Sequence, residues 1–147
     1  MHVTARFLAL YVDCGECAFL PASLIGHHIE CRAQLGGFDA IRPYERELGE
    51  RFLQNLPSTV TVYGLPTMAG RVPTFLVNVD GVPAADLAAQ LARRDVGVWA
   101  HDSWYSLDLY KRLGYERDAV RIGFIHYNTE EEVDRLLAGL EAAAQGA

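Results

Sequence analysis

The sequence predicts an α+β fold: a small, mainly antiparallel sheet with helices packed against it, behind an irregular N-terminal leader. Three observations predict it. Apolar residues recur at spacings of three and four through residues 38–56 and again near the C-terminus. Short β-branched runs bounded by Gly, Pro and Asp occupy residues 59–63 and 72–79. The elements then follow in the order α-β-β-α-β-α-β-α, with no long linker or internal repeat. A chain of 147 residues, half of them hydrophobic and 22% charged, fits one ordinary globular domain with a substantial core.

The first helix carries Phe38, Ile41, Tyr44, Leu48, Phe52 and Leu56 on one face, with Asp39 as its expected N-cap. Pro43 is then expected in the first turn, where a missing N–H does little harm. Leu56-Pro57-Ser58 stops the helix. The strand at 59–63 closes at Gly64, a loop with Pro66 and Gly70 follows, and Asp80-Gly81 turns the chain after the strand at 72–79. Residues 83–94 read as a short helix, 96–99 as a strand, and 103–113 as a helix stopped by Gly114. The last strand is expected at 119–126. Thr129 and Glu132 then form a capping box opening a helix through Leu136, Leu137 and Leu140.

Charge excludes two classes of partner. A net charge of −6 gives no footprint for nucleic acid or an anionic membrane. Residues 7–12 form an apolar run too short to span a bilayer, and Asp13 and Glu16 follow at once. All three cysteines, Cys14, Cys17 and Cys31, lie in or beside the leader. Their odd number argues against a disulfide framework and fits a reducing, cytoplasmic setting. Cys14 and Cys17 make a C-x-x-C with His27, His28 and Cys31 downstream, but the spacing matches no common zinc pattern. Incidental cysteines are the favoured reading, and no metal site is assigned.

Alternation in the last strand puts Val120, Ile122, Phe124 and His126 on one face and Arg121, Gly123, Ile125 and Tyr127 on the other. Gly123, two residues from Arg121 on the same face, leaves room beside the guanidinium. That arrangement suits bidentate binding of a carboxylate. An arginine on a solvated sheet face, or in a structural ion pair, fits the same residues equally well.

An ordered series of motifs settles on one family. Arg71-Val72-Pro73-Thr74-Phe75 with Val79-Asp80-Gly81, then Val96-Gly97-Val98-Trp99, then Arg121 with His126-Tyr127-Asn128-Thr129-x-Glu131-Glu132-Val133-Asp134 resembles the class V aminotransferase-type pyridoxal phosphate enzymes. The resemblance is to the C-terminal small domain of their cysteine desulfurase-like branch, a part of the fold type I architecture. It covers residues 32–147 and leaves 1–31 as a leader without resemblance, disordered or non-native. It implies that Arg121 binds the α-carboxylate of an amino-acid substrate. It also places His101, on the loop after the strand at 96–99, as a candidate substrate-pocket residue.

Two departures bound what the resemblance implies. The desulfurase branch carries a nucleophilic cysteine on that loop, whereas this chain reads Ala100-His101-Asp102-Ser103-Trp104-Tyr105. A serine is far less nucleophilic than a thiolate at neutral pH, so persulfide formation by that route is not expected. The family's Schiff-base lysine and phosphate-binding residues belong to a large N-terminal domain that these motifs do not include. Lys111, the chain's only lysine, falls in the helix at 103–113 and reads as a surface residue.

The expectation is therefore a carboxylate-binding domain that binds no pyridoxal phosphate by itself and is inactive without a large domain. A truncated or frame-shifted reading frame, a split enzyme or a free-standing domain would each give this pattern. Expected partners are a large cofactor-binding domain or subunit, a second copy in a homodimer, and an amino-acid substrate, with no nucleic acid and no membrane. The alternative is a non-catalytic small-molecule-binding or protein-interaction module. Tyr44, Phe52, Trp99 and Trp104 are expected to line an apolar patch that favours self-association.

Overall fold

The computed structural model describes residues 36–100, 108, 110, 111 and 118–146. The chain divides into two compact units, Met1–Pro43 and Tyr44–Ala147. The leader with its three cysteines, the loop carrying His101, and Trp104 lie outside the described residues.

Helix α1 (Gly37–Gln54) starts three residues earlier than an N-cap at Asp39 predicts, with Asp39 in its first turn. Pro43 consequently sits inside the helix, and its missing N–H removes one internal hydrogen bond. Gly36 and Gly37 supply the left-handed entry, with φ of 89° and 74°. Within the first unit the Arg42 guanidinium carbon lies 5.9 Å from the centroid of the Phe38 ring, and Phe38 is exposed.

The second unit is built on a three-stranded antiparallel sheet in the order β1-β2-β3. Its strands are β1 (Val60–Tyr63), β2 (Thr74–Val79) and β3 (Val120–Gly123). The register pairs Val62 with Val77 across β1 and β2, and Leu76 with Arg121 across β2 and β3. Strand β2 begins at Thr74, two residues later than expected. Pro73 has no N–H for a ladder, and the Thr74 amide turns back to the Val72 carbonyl at 2.7 Å.

The expected strand at 96–99 shrinks to a single bridge. Trp99 and Arg121 exchange both backbone hydrogen bonds, at 3.1 and 2.7 Å. Helix α2 (Ala84–Ala92) follows Pro83 at its N-cap, and Asp108, Tyr110 and Lys111 are helical. Helix α3 (Glu130–Gln145) opens on the capping box foreseen at Thr129 and Glu132.

One sheet face and the helices share the core. Phe75, Val77, Val120 and Ile122 point into it with Leu48 and Phe52 of α1, Leu87 and Leu91 of α2, and Val133 and Leu140 of α3. Phe52, Phe75 and Phe124 form its aromatic centre, with ring centroids 4.7 to 5.9 Å apart. Phe52 is fully buried, which removes it from the apolar patch expected on the surface, and Tyr44 and Trp99 are half-buried. Among the described residues of this unit, the exposed large apolar side chains are Leu65, Val72 and Tyr127. Gly139 lets α3 approach α2 closely, because a Cβ there would lie 2.6 Å from Leu91 Cδ2.

Candidate functional site

Strand β3 separates its side chains as the alternation predicts. Val120 and Ile122 are buried against the helices, while Arg121 and Gly123 face away from the core. Arg121 stands opposite Leu76, and Gly123 opposite Thr74. A Cβ added at Gly123 would meet nothing nearer than Thr74 Oγ1, at 3.7 Å. Packing within the described residues therefore does not require glycine here. The bridge to Trp99 places the indole on Arg121's other flank, with the guanidinium carbon 5.9 Å from the ring centroid. Tyr63 and Asn78 extend the same face through a 3.0 Å contact between the phenol and the amide.

The expected continuation of β3 to residue 126 does not form. The Phe124 amide still reaches the Pro73 carbonyl at 2.9 Å, but the Ile125 amide donates to Asn128 Oδ1 at 2.9 Å. That turn takes Ile125 and Tyr127 off the ladder that presents Arg121. Arg121 is thus near the last rung of the sheet.

The His126-Tyr127-Asn128-Thr129 motif serves the architecture. Asn128 Nδ2 donates to Glu132 Oε2 at 3.1 Å, and the Thr129 amide donates to the same oxygen at 3.1 Å. Helix α1 clamps this turn from the other side. The Tyr44 hydroxyl donates to the Asn128 carbonyl at 2.7 Å, and Glu45 Oε1 accepts from the His126 amide at 3.1 Å. His126 Nδ1 lies 3.5 Å from that carboxylate oxygen.

Nearly two turns further along α1, Arg51 holds Asp134 through two bonds of 2.8 and 2.7 Å and Glu130 through one of 2.9 Å. The Arg51 hydrogen bonds keep the Asp134 carboxyl below the usual carboxylate range, and the bond to Asp134 raises the Arg51 guanidinium in turn. Sequence spacing carries no sign of this clamp, because Arg51 and its partners are about 80 residues apart. The one available signal was a cluster of acidic residues in the first turn of α3 facing an arginine-bearing helix.

Arg71 also folds into the structure rather than outward. Its guanidinium donates to the carbonyls of Leu65 and Thr74 and lies 4.5 Å over the Phe75 ring, and burial lowers its affinity for the proton. It braces the loop before β2.

The comparisons agree with this architecture. The aminotransferase class V family model matches residues 21–136, and the chain belongs to that family. Among curated proteins it is 40% identical over 112 residues to a probable cysteine desulfurase of Halobacterium salinarum, covering 74% of this chain and 26% of that protein. It is 36% identical over 112 residues to an aminotransferase-like protein of Gibberella zeae, covering 71% and 27%. The apo structure of a cysteine desulfurase from Thermococcus onnurineus superposes with a TM-score of 0.74 at 28% identity, covering 81% of this chain and 29% of that one. The chain thus spans about a quarter of the length of these curated relatives.

The family's chemistry depends on pyridoxal phosphate, which needs a lysine for its aldehyde and donors for its phosphate. The described residues do not fit that group. Lys111 is exposed on a helical stretch, and Arg71 spends its donors on backbone carbonyls. No group of three or more His, Cys, Asp or Glu among the described residues is placed to hold a metal ion. No described helix is long and apolar enough to cross a membrane.

Proposed function

We propose that this chain provides the substrate-carboxylate-binding C-terminal domain of a cysteine desulfurase-like class V enzyme, with Arg121 gripping the amino acid's α-carboxylate. The observation that carries the reading is the placement of Arg121. It stands on the sheet face turned away from the core, near the end of its strand, with Gly123 beside it. A planar guanidinium there offers paired N–H donors to a planar carboxylate.

The cofactor, on this reading, is held by a large domain or subunit and not by this chain alone. His101 lines the substrate pocket as a secondary contact. The loop that follows Trp99 reads Ala100-His101-Asp102-Ser103 and offers no thiolate, so sulfur transfer through a cysteine at that place is not its reaction. The substrate is an amino acid, the compartment is the cytoplasm, and the complete enzyme pairs as a homodimer.

Co-expression with the pyridoxal phosphate-binding domain of a class V relative tests this. The expected result is a stable complex whose cofactor spectrum changes on adding an amino acid. Arg121→Ala then lowers kcat/KM by about 10- to 150-fold, the worth of a charge-assisted hydrogen-bond pair. Failure to associate, or an unchanged kcat/KM in Arg121→Ala, would contradict the proposal and favour a non-catalytic binding module.

A further inference from the structure

Arg121 has a long side chain with about 2 kcal/mol of rotamer entropy, and it stands on an exposed face. A carboxylate receptor built on such a side chain works better when the guanidinium is already held. Trp99 is placed to hold it. The two residues exchange both backbone hydrogen bonds, which puts their side chains next to each other on one face of the sheet. The guanidinium carbon lies 5.9 Å from the indole centroid, at the limit of cation–π attraction.

We propose that Trp99 is a positioning residue for Arg121, its indole flanking the guanidinium and limiting the rotamers from which it can meet a carboxylate. The inference rests on the carboxylate role proposed above for Arg121. The chemistry of the two groups makes the division of labour natural. A guanidinium carries N–H donors on more than one side, so an indole along one flank leaves an edge that can meet a carboxylate. The backbone bridge fixes where the indole stands, and Leu76 closes the opposite flank of Arg121 across β2. Positioning in this way lowers the entropy lost on binding without adding any contact to the ligand.

The test uses the whole chain and L-alanine as the probe, followed in a nitrogen–proton correlation spectrum through the Arg121 Nε–H resonance and, in every variant, through the backbone amides of Ile122 and Gly123. In the native chain that proton is displaced by the ring current of the indole, and L-alanine shifts it saturably. Trp99→Leu removes the ring-current displacement and weakens L-alanine binding about 2- to 5-fold, the range of an exposed cation–π contact. Trp99→Phe gives an intermediate value, and Arg121→Ala abolishes binding. Should Trp99→Leu fail to fold, the Trp99→Phe comparison and the ring-current displacement in the native chain decide the matter by themselves. Native affinity in the Trp99 variants alongside lost binding in Arg121→Ala overturns the role of Trp99 and leaves the carboxylate reading intact. Binding that is unaffected by Arg121→Ala, or absent from the native chain, overturns both.

Discussion

Gly123→Ala separates the needs of the fold from the needs of the site. The new Cβ would stand 3.7 Å from Thr74 Oγ1, an ordinary contact, and it would lie on the exposed face beside Arg121. Glycine within a strand costs about 0.5–1 kcal/mol relative to alanine through its extra backbone freedom. The substitution is therefore expected to stabilise the chain by about that amount, raising the unfolding midpoint by roughly 2–6 °C for a domain of this size. The same methyl group intrudes on the space next to the guanidinium. Crowding a fitted contact costs about 1–3 kcal/mol, so carboxylate affinity should fall by roughly 5-fold or more. Thermal unfolding followed by circular dichroism and a titration with L-alanine measure the two effects separately. A lowered midpoint would show that the fold itself needs this glycine. Unchanged affinity at a raised midpoint would place the carboxylate somewhere other than beside Gly123.

Three further outcomes are expected. Tyr44→Phe removes the 2.7 Å bond to the Asn128 carbonyl and should cost about 1 kcal/mol in denaturant unfolding, with no loss on substitution contradicting the clamp between α1 and the turn before α3. The Asp134 carboxyl has its folded pKa held below its unfolded value by Arg51, so its contribution to stability is complete above about pH 4 and disappears as pH falls through the folded pKa. Asp134→Asn should accordingly lower the melting temperature at neutral pH and match the native chain in strong acid, whereas a deficit constant across pH would contradict the ion pair. Incubation with pyridoxal phosphate should give no saturable aldimine absorbance in the chain alone, and a stable band lost on Lys111→Ala would overturn the placement of the cofactor elsewhere.

The fold class was legible because its signals are local. The β-branched runs, the Asp80-Gly81 turn and the capping box at Thr129 and Glu132 each act within a few residues, and the structure contains all three. The errors lie where a hydrogen bond or a backbone entry outside the repeating pattern decides. Strand β3 stops at Gly123 because Asn128 captures the Ile125 amide, although 119–126 alternates smoothly in sequence. The strand at 96–99 contracts to one bridge because only Trp99 finds a ladder partner. Pro43 entered the helix interior because Gly36 and Gly37 begin α1 ahead of its best capping residue. At the site, period two placed Arg121 and Gly123 together on the outer face, and no spacing rule could add Trp99, which the bridge brings from 22 residues away. The same limit hid the Arg51 clamp, whose partners meet only once α1 and α3 are packed.

The central claim is that Arg121 recognises a carboxylate, and the most direct measurement compares two ligands that differ in that group alone. L-alanine and L-alaninamide, titrated against the native chain and Arg121→Ala while the Ile122 and Gly123 backbone amide resonances are followed, with the Arg121 Nε–H resonance as a second probe in the native chain, make the comparison. The account predicts a saturable shift with L-alanine, none with the amide, and none with either ligand in Arg121→Ala. Equal responses to the two ligands, or L-alanine binding that survives Arg121→Ala, would contradict it.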